Sequence, residues 1–223
     1  VITFIKRRVY RWNFNCVKIP QLCIALHVVA NSKIMGNSEL QETLKSYFPI
    51  LEEESLNDIV KHSSYLKSTK GTKLISEGKR HHYIYLIVKG SIKSYYSKES
   101  KEVCVWFSLE NEIIGTTSTI QGGASKETLE LLEDSELIKL NIEKMKELAQ
   151  TDLSISNLLN NLWEAHAIFL EERLYQLQFM NSHERYKVLI KNTPEILQRV
   201  SLTDIASFLG LSRETLSRIR AKK

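Results

Sequence analysis

The sequence predicts an α+β chain: an N-terminal antiparallel β domain built as a roll, barrel or sandwich, then a long helix, then a small C-terminal domain of short helices. Three observations carry this. Six of the eight glycines fall between residues 70 and 140, among short β-rich runs. Many short strands turned at glycine make a roll, barrel or sandwich. The stretch 152–179 has no glycine or proline and carries apolar residues at helical spacing. Beyond residue 181 the helical period continues in short pieces, broken at Pro194 and Gly210.

The elements follow in order. Leu40, Leu44, Phe48, Leu51, Leu56, Ile59 and Val60 recur at helical spacing and Pro49 interrupts them, which predicts short helices over 38–62. From about residue 70 the texture is that of strands. Residues 83–88 form a β-rich run stopped by Gly90. Runs 91–96 and 103–109 follow, with a polar turn over 97–101, and Leu129, Leu131, Leu137 and Leu140 mark two more strands around 133–135. Asn141 is placed to cap a helix over 142–148. The long helix carries Ile155, Leu158, Leu159, Leu162, Phe169, Leu170, Leu174 and Leu177, with His166 and Arg173 breaking the heptad. A stripe that wide needs a partner, either the chain's own β domain or a symmetry mate. Residues 184–191 read as a helix ended by Asn192, Thr193 and Pro194, and two short helices follow. The expected division is a leader over 1–34, a β domain over 35–149, a long helix over 150–180 and a C-terminal domain over 181–223.

The net charge of +5 is uneven. Residues 1–34 hold six Lys/Arg and no acid, residues 181–223 hold nine Lys/Arg and four acids, and the middle is net acidic. The basic C-terminal segment is the part suited to a polyanion. The leader reads either as an upstream extension before a natural start at Met35, or as a basic arm or targeting peptide, and it is expected to be loosely packed. Three cysteines, Cys16, Cys23 and Cys104, make no disulfide framework and no metal-finger spacing. They point to a reducing, cytoplasmic compartment. No apolar run is long enough for a membrane span, so no membrane partner is expected. The sequence marks no metal site, no cofactor and no catalytic constellation, and no enzyme is expected.

The segment 201–223 carries the function. Ser201 can cap a helix, with Asp204 three residues on completing a capping box. Ile205, Ala206 and Leu209 form its inner face, Gly210 permits the turn and Leu211 plugs the core. Ser212 caps a second helix, which sends Leu216 and Ile219 inward beside Thr215. Its outer face shows Arg213, Glu214, Ser217 and Arg218, long or polar side chains suited to base edges in a major groove. Arg220, Lys222 and Lys223 add charge for phosphates. Any wing beside this motif is expected before Ser201, where Val200 leaves little strand to build one.

The string Ile205-Ala206, Leu209-Gly210-Leu211-Ser212-Arg213-Glu214-Thr215-Leu216-Ser217-Arg218-Ile219 resembles the helix-turn-helix of the cyclic-AMP receptor/fumarate-nitrate regulator (Crp/Fnr) family. The runs 71–78 and 85–90 are similar to that family's cyclic-nucleotide-binding β-roll, and 152–179 sits where the family places its dimerisation helix. The resemblance covers about residues 38–223. It implies that the β domain over 35–149 is a β-roll of the jelly-roll type and that the long helix over 150–180 is a dimerisation helix. It implies a homodimeric transcription regulator that binds double-stranded DNA, senses a small-molecule effector of unknown identity, and leaves RNA polymerase open as a further partner. It implies that Arg213, Glu214 and Arg218 match base-reading positions, and Ser217 one in the oxygen-sensing branch.

Departures bear on the ligand. Where the family's cyclic-AMP binders carry Phe-Gly-Glu, this chain has Ile114-Gly115-Thr116, and their phosphate-holding Arg-Ser pair aligns with Ser125-Lys126. A cyclic phosphate without its bidentate guanidinium loses its strongest contact, so cyclic-AMP binding is not expected. Gly115, Thr116, Thr117, Ser125 and Lys126 are the candidate effector residues. The simpler alternative is a loop that hydrogen-bonds to itself. His81 and His82 are expected in a solvated loop, His166 on the helix surface or at an interface, and Cys104 as a small core residue. A competing reading of the whole chain is a ligand-binding signalling module whose C-terminal bundle mediates protein contacts. The polar face of Arg213, Glu214 and Arg218 argues against it, because partner-binding helices expose apolar anchors.

Overall fold

The computed structural model describes residues 36–99 and 101–221. The expectations for the leader and for Lys222 and Lys223 fall outside the described residues. Helices α1 (Asn37–Tyr47) and α2 (Glu53–Lys61) flank Pro49 and bury Leu40, Leu44, Leu56 and Ile59 on one face. Eight strands follow: β1 (Ser63–Ser68), β2 (Lys73–Ile75), β3 (Tyr83–Lys89), β4 (Ile92–Lys98), β5 (Lys101–Ser108), β6 (Ile113–Ile114), β7 (Thr128–Leu131) and β8 (Ser135–Asn141). They form two four-stranded antiparallel sheets, ordered β1-β8-β3-β6 and β2-β7-β4-β5. Ile75, Ile87, Ile92, Leu129, Leu131 and Leu137 fill the space between them. The opposite face of β3 and β8, with Ile84, Leu86, Ile138 and Leu140, packs on the helices.

Gly90 turns β3 into β4 at φ 114°, and a Cβ there would lie 2.0 Å from Ser135 Oγ. No side chain fits that approach. A bulge at Val105 decides what β5 shows to each side. Ser94 pairs with Trp106, but Tyr95 pairs with Cys104. The extra residue puts Ser94 and Trp106 on the inner face, while Lys93, Tyr95, Cys104 and Phe107 share the outer one.

The helical expectations hold with shifts at the ends. Helix α4 (Ile142–Leu148) is capped by Asn141, whose side chain accepts from the Glu143 and Lys144 N–H groups. Helix α5 (Leu153–Phe179) is capped by Asp152. Helix α6 (Ser182–Asn192) carries a full capping box between Asn181 and Glu184. Helices α8 (Leu202–Leu209) and α9 (Arg213–Ala221) close the described chain. Polar β1, two-residue β6 and the short helices α3 (Thr117–Gln121) and α7 (Ile196–Arg199) have too little pattern to be read from sequence. Among the described residues beyond 181 there is no strand.

The stripe of α5 divides along its length. Ile155 and Leu158 are buried against the first sheet and its helices, and Leu159 and Leu162 pack beside them. Phe169 lies 3.8 Å from the Trp106 ring centroid. Farther on, Leu170, Leu174, Leu177 and Phe179 are 51, 56, 49 and 71% exposed. His166 faces the β-roll, where it stacks on Trp106 at 5.5 Å and is half-buried.

Candidate functional site

Local chemistry builds the α8–α9 unit. The Ser201 hydroxyl accepts from the Asp204 N–H at 3.1 Å and donates to the Asp204 carboxylate at 2.7 Å. Gly210 takes φ 68° at the turn, and the Leu211 N–H returns to the Ala206 carbonyl at 2.9 Å. This left-handed closure satisfies the last carbonyls of α8. Ser212 accepts from the Thr215 N–H at 3.1 Å and so starts α9. Ile205, Ala206, Leu209 and Leu216 are buried between the helices. Arg213, Glu214, Ser217, Arg218 and Arg220 are exposed, as is Ser212, while Thr215 is half-buried. Arg218 Nη2 donates to Thr215 Oγ1 at 3.3 Å rather than pairing with Glu214. The N–H groups and the Ser212 hydroxyl at the helix start hold Glu214 below the usual carboxylate range, with Arg213 and Arg218 adding to the effect.

This unit is docked on the outer face of the β2-β7-β4-β5 sheet. The Cys104 N–H donates to Ser207 Oγ at 2.9 Å, and the Phe107 and Phe208 rings lie 5.3 Å apart. Burial of Cys104 pushes its thiol up to about 12, so it is an inert core group, as expected. Lys93, mostly buried, reaches Glu102 at 2.6 Å and Asp204 at 3.4 Å. Burial alone would lower its pKa, but these carboxylates and Glu130 outweigh it and hold Lys93 charged. Arg199 binds Glu110 bidentately at 2.7 Å and also Glu133. Arg173, the residue that breaks the α5 heptad, donates to the Phe208 carbonyl and lies 4.1 Å over the Phe208 ring. Arg185 donates to the Leu209 carbonyl at 3.1 Å. Two guanidinium groups thus meet the carbonyl end of α8, where cations are favoured.

On the inner face of the same sheet lies a cavity of about 90 Å³. Ser94, Trp106 and Glu127 line it from the sheet, and Leu162, Trp163 and His166 close it from α5. Ser94 Oγ donates to Glu127 Oε2. Burial raises the Glu127 pKa, which the Ser94 bond partly offsets, and burial lowers that of His166.

The candidate effector residues divide. Gly115 and Thr117 line the cavity. A Cβ at Gly115 would sit 2.5 Å from Ile84 Cγ2, so the close approach requires glycine. Thr116 and Ser125 are buried and turned into the loop itself. Thr116 Oγ1 lies 2.8 Å from Thr119 Oγ1 and 3.4 Å from Ser125 Oγ, and Ser125 Oγ donates to the Glu127 carbonyl at 2.7 Å. The loop hydrogen-bonds to itself, and Lys126 is exposed. The sequence reading missed Ser94, Trp106, Glu127, Trp163 and His166. Trp163 and His166, three apart on one helix, carried a usable signal; the strand residues did not, because the bulge hides their shared face.

Comparisons with known proteins agree with this geometry. Residues 66–152 match the family model of the cyclic nucleotide-binding domain. No curated protein sequence matches the chain. Among solved structures, FixK2 from Bradyrhizobium japonicum is 21% identical, covering 72% of this chain and 83% of its own, with a TM-score of 0.59. A regulator assigned to the crp/fnr family from Eubacterium rectale is 19% identical, covering 79% and 86%, with a TM-score of 0.65. The c-di-GMP responsive global regulator CLP of Xanthomonas campestris is 18% identical, covering 77% and 91%, with a TM-score of 0.55. At these identities the likeness is one of fold.

Proposed function

We propose that this chain, which carries a cyclic nucleotide-binding domain on the fold of Crp/Fnr-family regulators, is a dimeric DNA-binding transcription regulator whose β-roll senses a small molecule other than cyclic AMP. One observation carries the reading. Strands β4 and β5 form a wall one sheet thick, with the cavity on one side and the α8–α9 unit on the other. Ser94 and Trp106 face the cavity, and Lys93, Cys104 and Phe107 face α8. A change in cavity contents that moves this wall acts directly on the packing of α8.

The proposed division of labour is a sensor over 35–149, a dimerisation helix over 150–180 and a DNA-binding domain over 181–223. Arg213, Glu214, Ser217 and Arg218 read bases, while Ser212, Thr215 and Arg220 shape the helix start or meet phosphate. The exposed half of α5, from Leu170 to Phe179, supports a two-fold partner. Among the described residues no helix is long and apolar enough to cross a membrane, which accords with a cytoplasmic regulator. The test is selection of bound sequences from random duplex DNA by the full chain. A palindromic consensus, with binding that falls steeply with salt, is expected. Recovery of unenriched sequence would overturn the reading.

A further inference from the structure

We propose that the β-roll cavity binds a small organic cation, a short protonated alkylamine or amidine, through the Glu127 carboxylate, with Trp106 and Trp163 bordering it. This rests on the reading of the cavity as the effector site, and it names the ligand class.

Size comes first. At about 90 Å³ the cavity is smaller than the ~150 Å³ apolar cavity that accepts benzene. Charge comes second. Glu127 is the one acid among the lining side chains, and no Lys or Arg lines the cavity beside it. Among the described residues no cation forms an ion pair with Glu127; its side-chain partner is the neutral Ser94 hydroxyl. His166 is the other titratable group facing this space, and burial favours its neutral form. An anion entering here meets a carboxylate and no counter-charge. A neutral apolar molecule leaves the carboxylate half-buried and unpaired. A cation supplies the missing charge. The walls fit the same ligand: the indoles of Trp106 and Trp163 border the space, and Ile84, Leu129 and Leu162 hold a short apolar body.

The test uses three probes of one carbon skeleton, isobutylammonium, isobutanol and isobutyrate. Each is titrated into the full chain and followed by calorimetry and by tryptophan fluorescence, since two of the three tryptophans line the cavity. Isobutylammonium is expected to bind at least about tenfold more tightly than isobutanol, with isobutyrate undetectable. Glu127→Gln is expected to bring the ammonium down to the affinity of the alcohol. Circular dichroism verifies that the variant folds, and the comparison of probes on the unaltered protein stands without it. Isobutanol or isobutyrate binding as well as the ammonium, a preference that survives Glu127→Gln, or no ammonium binding at all would each overturn the proposal. The broader reading is tested apart from it by Leu162→Trp, which fills the cavity. If that variant changes DNA affinity while the ammonium fails to bind, the sensor stands and the ligand class falls. If DNA affinity does not move, the sensor falls.

Discussion

Arg199 holds both carboxylate oxygens of Glu110, Nη1 to Oε2 and Nη2 to Oε1 at 2.7 Å each, and so ties α7 to the loop after β5. Glu110 also accepts from the Gly90 N–H at 2.8 Å, which anchors it to the β3–β4 turn. Burial opposes its ionisation, but the bonds from Arg199 and Gly90 outweigh burial and hold its pKa below the ordinary 4.5. Its stabilisation is therefore present above pH 4.5 and is lost as pH falls through the depressed value. Glu110→Gln is expected to lower stability at pH 7 by about 1–2 kcal/mol. Its difference from the native protein should shrink below pH 4.5. Thermal unfolding across that range checks it; a constant difference would refute the link.

His166 gives a second pH effect. Burial against Trp106 lowers its pKa below 6.5. The unfolded chain then takes up the proton first, so stability is full above pH 6.5 and falls as pH drops toward the lowered value. His166→Phe keeps a ring on Trp106 and removes the charge. Its denaturation midpoint is expected to change less than the native one between pH 7.5 and 5.5, and an equal change would count against this account.

The exposed half of α5 is the face we propose for the two-fold partner. Leu170 and Leu174 are one turn apart and both more than half exposed. A double Leu170→Glu, Leu174→Glu variant is expected to be a monomer by light scattering at micromolar concentration, with the fold intact by circular dichroism. Its affinity for a palindromic site should fall to that of a half-site. A variant that remains dimeric would place the two-fold elsewhere.

Base reading separates from phosphate contact. Arg218 rests on Thr215 Oγ1, so its guanidinium is held near the start of α9. Arg218→Ala is expected to cost ~1–3 kcal/mol and to relax preference at one base pair. Arg220→Ala should weaken all sequences alike and reduce the salt slope by about one. Titration against a panel of single-base site mutants distinguishes the two. A uniform loss for Arg218→Ala would assign it to phosphate.

Cyclic AMP is expected to bind weakly or not at all. A cyclic phosphate needs a cation, and the cavity offers Glu127. Calorimetry showing a micromolar dissociation constant, or a gain in DNA affinity on adding cyclic AMP, would reverse this.

The sequence by itself determined the order of the longer strands and helices, the α8–Gly210–α9 turn and its serine caps. Each depends on residues a few positions apart, such as Ser201 with Asp204 or Ser212 with Thr215. It also placed Arg213, Glu214, Ser217 and Arg218 on one outer face, because helical period and two caps fix which way α9 turns. Within that range the structure adds that Arg218 donates to Thr215 Oγ1 and that the apolar stripe of α5 is buried at its start and exposed toward its end. The tertiary structure alone decided the cavity and the docking of α8. Trp106, Glu127 and His166 meet only after three separate elements pack, and a single extra residue at Val105 determines which side of β5 faces inward. Arg199 and Glu110 lie 89 positions apart, and no local pattern marks an ion pair at that range. Local hydrogen bonds and periodicity are written in neighbouring residues; the partners of a sheet face are set by register and packing, which sum over the whole chain.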